Sequence, residues 1–314
     1  MNENTPLEIG AKGYRIPGTY IYLDPLEPVR CAIISHAHGD HAVEGHENVY
    51  CSEGTAALIK TRFNYPAKKI HVVKFGEVFM LEGIPFSLHP AGHMLGSSQV
   101  KWIHRDKRII YTGDYKREAD KSCEPFEVVP CDVFITEVTF GREGKIHPPA
   151  EEVIASLSKY KDLNLIIGAY NLGKAQRLTR LFNDHLTGFR IMVHPKMIPY
   201  HKVYESCGFN LGLWEPYKRE AFKHQRGIIY LVPPPTLLNF RPGKHFLKAF
   251  ATGWDEKHEK YDFPLPVSDH ADWPSLIRSI KECGATDVYT IHGDGDPLSK
   301  TKELTGVNIH ILTH

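Results

Sequence analysis

The segment His36-Ala37-His38-Gly39-Asp40-His41 puts three imidazoles and a carboxylate into six residues, directly after the apolar run Cys31-Ala32-Ile33-Ile34. Ligands on a loop that leaves a strand are pinned by the sheet yet open to substrate. His36 and His38 alternate as in extended backbone and can face one cation, while Asp40 and His41 fall past the bend and can face a second. His93, flanked by Gly92 and Gly96, would complete a three-histidine site. Asp114, in Thr112-Gly113-Asp114-Tyr115, is the natural bridge, because one carboxylate offers two oxygens to two cations. His292, after Val288–Ile291, is the last expected ligand. The expected cofactor is a pair of divalent metal ions: zinc suits the histidine-rich shell, and manganese tolerates the same geometry.

Two cations roughly 3.5–4 Å apart form a clamp for a phosphodiester, lowering the pKa of a bridging water and neutralising charge on the attacked phosphate. Hydrolysis is the expected reaction, with Asp40 orienting the hydroxide and a separate acid needed for the leaving oxygen. The segment Gly168-Ala169-Tyr170-Asn171-Leu172-Gly173-Lys174-Ala175-Gln176-Arg177 places a glycine and basic side chains at a helix start, a setting that suits phosphate. Gly173, Lys174 and Arg177, together with Lys116, are the expected phosphate contacts. The segment is not a Walker loop, which needs Lys-Ser or Lys-Thr after a longer glycine frame.

The elements that must position these residues read as short strands at Tyr20–Leu23, Cys31–Ser35, Ile70–Val73, Phe86–His89, Arg108–Thr112 and Val133–Thr136. Several end just before a histidine or a carboxylate. After Gly141 the texture changes: His147-Pro148-Pro149 is a stop, and Ala150–Tyr160 has helical spacing. Strands at Leu163–Ala169 and Arg190–Val193 then alternate with helices at Lys174–His185 and Pro199–Cys207, which favours a parallel sheet with helical crossovers. Ile228–Val232 runs into Pro233-Pro234-Pro235, read as a hard break, and Leu247–Trp254 reads as a further strand. A helix at Trp273–Cys283 and a strand at Val288–Ile291 lead to His292.

Composition narrows the function classes. With 42% hydrophobic and 24% charged residues in 314, the chain is ordinary for a globular protein, and no stretch approaches the roughly 20 apolar residues of a membrane span. Met1–Arg15 lacks the design of a secretory signal, and six cysteines without a framework rhythm fit a reducing cytoplasm. A net charge of +1 means that a nucleic acid would be met by a local basic surface and by the metals.

The set His36-Ala37-His38-Gly39-Asp40-His41, Gly92-His93 and Gly113-Asp114 resembles the metallo-β-lactamase superfamily, and Glu137, His270 and His292 resemble the extra motifs of its β-CASP nucleic-acid-processing branch. The resemblance implies His36, His38 and His93 on one zinc, Asp40, His41 and His292 on the other, Asp114 between them, and Glu137 with His270 as a proton-donor pair. Tyr111-Thr112-Gly113-Asp114-Tyr115-Lys116-Arg117, Cys123-Glu124-Pro125-Phe126-Glu127, Leu172-Gly173-Lys174-Ala175-Gln176-Arg177 and Ser268-Asp269-His270-Ala271-Asp272-Trp273 are similar to the bacterial DNA-ligase-associated exonucleases. That similarity covers nearly the whole chain. It implies DNA as substrate and a role in DNA repair, with an ATP-dependent DNA ligase and a helicase as partners.

The implied fold is α/β, a metallo-β-lactamase four-layer αβ/βα sandwich with an inserted small α/β, β-CASP-like cap. Residues 1–147 and 263–314 would form the sandwich and 148–262 the cap. RNA is the rival substrate, because histidine at position 292 is commoner in RNA-processing members, whereas the crosslink-repair and Artemis-like members usually carry valine. Hydrolysis of thioesters or lactones is a rival chemistry that Glu137, His270 and the inserted cap disfavour. A non-catalytic, metal-stabilised scaffold for a DNA ligase complex is a rival of another class.

Overall fold

The computed structural model describes residues 5–63, 69–241, 245–254, 260–293, 296–299 and 305–312. The chain divides into two compact units, Met1–Ile146 with His270–His314, and His147–Asp269.

In the first unit, apolar side chains at every second position build two facing sheets. Val133 and Ile135 turn to one face of the strand Val133–Glu137 and Phe134 to the other, the alternation that a pleated strand imposes. A six-stranded sheet runs in chain order through Glu8–Gly10, Gly13–Arg15, Ile21–Leu23, Cys31–Ile33, Asn48–Cys51 and Ile70–Val72. A seven-stranded sheet has the order Asn308–Ile311, Asp287–Ile291, Val133–Glu137, Lys107–Tyr111, Ser98–His104, Ile84–Pro90 and Val78–Leu81. The returning strand Asp287–Ile291 therefore lies parallel to Val133–Glu137, with Glu137 opposite Ile291.

Ile21, Leu23 and Ile33 of the first sheet meet Phe86, Val100, Trp102, Tyr111 and Ile135 of the second in a buried core. The other face of the second sheet packs Ile110, Phe134 and Val288 against Trp273, Leu276 and Ile280 of the helix Trp273–Cys283. That helix starts where Asp272 accepts from the Ser275 amide at 3.1 Å and stops at Gly284, which takes the left-handed conformation. The helix Glu53–Arg62, with Leu58 and Ile59 buried, bridges the parallel strands Asn48–Cys51 and Ile70–Val72. Helix, sheet, sheet and helix make the expected four-layer αβ/βα sandwich.

The second unit is a five-stranded parallel sheet in the order Glu215–Pro216, Arg190–Val193, Ile228–Val232, Asn164–Gly168 and Phe246–Phe250. Leu165 and Ile167 pack with Ala175, Leu178 and Phe182 of the helix Lys174–His185, while Ile166, Met192 and Tyr230 pack with Phe222 and Leu237 on the other face. The three prolines depart from the expected hard break. Pro233-Pro234-Pro235 does not simply break the chain but opens the helix Pro234–Asn239, since the fixed φ of proline suits a first turn whose amides have no intrahelical acceptor. No helix among the described residues is long and apolar enough to cross a membrane.

Trp102 is fully buried between the sheets, and its indole N–H has no hydrogen-bond partner among the described residues. Trp102→Ala is expected to lower unfolding free energy by about 3–5 kcal/mol in urea titrations, whereas Trp102→Phe, which also removes the unpaired N–H, should cost much less. Equal losses for the two variants would show that packing at this position is not what holds the sheets together.

Candidate metal centre

The expected ligands come from strand ends that share one edge of the sandwich. Lys107–Tyr111, Val133–Glu137 and Asp287–Ile291 run parallel, and Asp114, Glu137 and His292 lie at or just past their C-terminal ends. His93 follows Ile84–Pro90, which runs in the same direction because Ser98–His104 is antiparallel to both of its neighbours. His36 follows Cys31–Ile33 of the facing sheet. Two tight backbone approaches fix this edge. Gly92 has φ +73° and a Cβ there would lie 2.2 Å from the Lys116 carbonyl; Gly113 has φ +54° and a Cβ would lie 2.7 Å from the Ser35 side chain.

His36, His38, His93 and Asp114 each offer a ligand atom, and these atoms all lie within 4.8 Å of one another. His38 Nδ1 is 3.1 Å from His36 Nε2 and 3.1 Å from His93 Nε2. Asp114 Oδ2 is 3.6 Å from His36 Nε2 and 3.9 Å from His93 Nε2. A tetrahedron with zinc–nitrogen bonds of about 2.0–2.1 Å has edges of about 3.3–3.4 Å, so these four atoms fit one cation. Burial pushes the His36 imidazole well below its ordinary range, with the neighbouring His41 charge adding to the effect, so it stands neutral as a ligand must.

A second group is built around His41. Its Nε2 is 3.5 Å from Asp114 Oδ2 and 3.9 Å from Asp40 Oδ2, and its ring lies 4.9 Å from that of His292. Asp40 is the most open member, with three-quarters of its side chain exposed. His292 has φ +51°, a conformation that costs a non-glycine residue strain, and its buried Nε2 has no hydrogen-bond partner among the described residues. An unpaired buried nitrogen costs roughly 1–3 kcal/mol more, so a strained, orphaned imidazole beside His41 is what a cation ligand would look like.

Asp24 was not singled out from the sequence and holds this half together. Its carboxylate accepts from the Ser35 amide at 2.6 Å, the Ser35 hydroxyl at 2.5 Å, the Tyr111 hydroxyl at 2.9 Å and His41 Nδ1 at 2.8 Å. A carboxylate on Nδ1 fixes the tautomer and turns the Nε2 lone pair toward a metal. The available signal was the same as for the ligands: Asp24 directly follows an apolar strand.

His270 Nδ1 lies 3.0 Å from each oxygen of Glu137, which is itself buried and also accepts from the Tyr115 amide at 2.8 Å. The ring is 4.7 Å from that of His93, and Nδ1 is 4.0 Å from Asp114 Oδ2, so the pair adjoins the four-ligand group.

The four expected phosphate contacts have internal partners. Lys116 Nζ bonds the Glu118 carbonyl and carboxylate, both at 3.0 Å. The Gly173 amide donates to the Gln176 side chain at 2.8 Å, and Lys174 and Arg177, 5% and 4% exposed, both pair with Asp269. Phosphate binding at these positions does not follow from the arrangement, because the polar groups are buried and already employed.

Burial works against a charged His41, but Asp114 and Asp24 together hold its pKa well above the ordinary histidine range. A raised pKa means that the proton is present at neutral pH and must leave Nε2 before a cation can take its place. Zinc or manganese binding at pH 7 is therefore expected to release protons and to tighten as pH rises. Calorimetry in PIPES and in Tris should give different apparent enthalpies once metal binding by the buffers is subtracted; identical enthalpies in the two buffers would contradict a protonated His41 in the site.

A family model described as "Beta-lactamase superfamily domain" matches residues 12–167. The chain is 30% identical over 313 residues to a "Probable DNA ligase" of Opitutus terrae, a match covering 94% of this chain and 30% of that protein. It is 28% identical over 139 residues to "Endoribonuclease YSH1" of Candida glabrata, covering 42% of this chain and 18% of that protein. The chain thus spans less than a third of the length of these two curated relatives. The crystal structure of a protein of unknown function from Enterococcus faecalis V583 is similar in fold, with a TM-score of 0.62 at 12% identity over 90% of this chain and 79% of that one. With that match over residues 12–167 and the sandwich fold around them, the chain carries a metallo-β-lactamase superfamily domain.

Proposed function

We propose that the chain is a metal-dependent phosphodiesterase, a DNA exonuclease of DNA repair that works in the cytoplasm beside an ATP-dependent DNA ligase and a helicase. The observation that carries the nuclease reading is the Glu137–His270 pair next to the Asp114 cluster. Two divalent cations, zinc or manganese, held by His36, His38, His93, Asp40, His41, His292 and a shared Asp114 would supply an ionisable water and positive charge for the scissile phosphate. Glu137 holds His270 by Nδ1 and leaves Nε2 to give its proton to the departing oxygen. Asp40, at the open rim, orients the attacking oxygen and takes its proton. Glu137 is buried and has no such access; its part is to orient His270.

DNA is favoured by the relative named as a DNA ligase, whose match runs along 94% of this chain. RNA is the second reading, favoured by the relative named as an endoribonuclease and by His292.

The test incubates protein with end-labelled DNA and RNA, single- and double-stranded, in zinc or manganese. Wild type should shorten DNA from an end, and His270→Ala should lower kcat by about 10²–10⁴-fold, the usual worth of a general acid. Asp40→Asn should also impair cleavage. Degradation of RNA alone would overturn the DNA assignment, and variants as active as wild type would overturn the assigned roles.

A further inference from the structure

Two buried cations of the 147–269 unit have no part in the chemistry above. Lys174 and Arg177 stand on the first turn of the helix Lys174–His185, which Ala175, Leu178 and Phe182 seat in the core. Lys174 Nζ donates to Asp269 Oδ1 at 2.9 Å and to the Val267 carbonyl at 2.6 Å. Arg177 Nη1 donates to the same Asp269 oxygen at 2.9 Å and to the Ser268 carbonyl. One helical turn thus grips three consecutive residues, and Asp269 itself is 5% exposed. The next residue in the chain is His270.

We infer that Lys174 and Arg177 are positioning residues for His270 rather than contacts for nucleic-acid phosphate. The inference rests on the reading of His270 as proton donor. Adjacent Cα atoms are about 3.8 Å apart, so anchoring Asp269 restricts where the His270 backbone can lie. A shift of about 1 Å in a reacting group can cost 10²-fold in rate, so the grip matters to turnover while offering nothing to ground-state binding. A phosphate contact would need exposed donors, and here both cations are buried on a carboxylate.

The test uses the full chain with Arg177→Gln, Asp269→Asn and the charge-keeping Arg177→Lys. Arg177→Gln and Asp269→Asn should lower kcat by about tenfold or more with KM within about twofold, and Arg177→Lys should recover most of the loss. Backbone hydrogen exchange over residues 265–273 should quicken in the first two variants and return toward wild type in the third. If Arg177→Gln instead raises KM at unchanged kcat and cuts the salt slope of DNA binding by about one, the side chain touches phosphate and the inference fails. Should wild type cleave no nucleic acid, the proposed function fails by itself, and the exchange rates still decide whether the grip exists: unchanged exchange in both variants overturns it.

Discussion

One carboxylate faces too many imidazoles. Asp114 Oδ2 has His41 at 3.5 Å, His36 at 3.6 Å, His93 at 3.9 Å and His270 at 4.0 Å, and it is 6% exposed. The surrounding positive charge, His41 first and then His270, holds the Asp114 carboxyl well below the usual carboxylate range even though burial opposes ionisation. One anion cannot balance protons on all of these rings, and His36, held neutral by burial, turns its Nε2 toward His38 and Asp114. Lone pairs converging in a buried site repel one another unless a cation sits between them, and that requirement organises the rest of the molecule.

The sandwich meets it by rigidity. Asp24 leaves the six-stranded sheet and takes the hydroxyl of Tyr111 from the seven-stranded one, so the group that orients His41 is tied to both layers. Ser35, bonded to Asp24, also lies 3.0 Å from His36 Nδ1, which links the outer contacts of His36 and His41 through one hydroxyl. The strained backbone at His292 is tolerated at the end of the strand Asp287–Ile291, where parallel pairing fixes the chain through Ile291 on one side and Thr290 on the other.

Much of this was legible in the sequence because ligand types recur at one kind of place, the exit of an apolar strand: His36, His93, Asp114 and His292 all follow that rule. The helices Lys174–His185, with Ala175, Leu178, Leu181 and Phe182 on its buried face, and Trp273–Cys283 were readable at the bounds they take. Three-residue strands such as Glu8–Gly10 and Gly13–Arg15 are too short to show a period, and Ser98–His104 hides because its first two residues, Ser98 and Gln99, are polar yet buried. Asp24 was passed over because a lone carboxylate before a proline reads as a turn. Lys174 and Arg177 read as phosphate contacts at a helix start because sequence spacing cannot reveal a partner such as Asp269, nearly a hundred residues away.

The most direct test of the account is anomalous diffraction from crystals grown with zinc or manganese. The expected result is two ions, both touching Asp114, one held by His36 Nε2, His38 Nδ1 and His93 Nε2 at about 2.0–2.1 Å and the other beside His41 and His292. A map with no ion in this cluster, or with one ion bound away from Asp114, would contradict it.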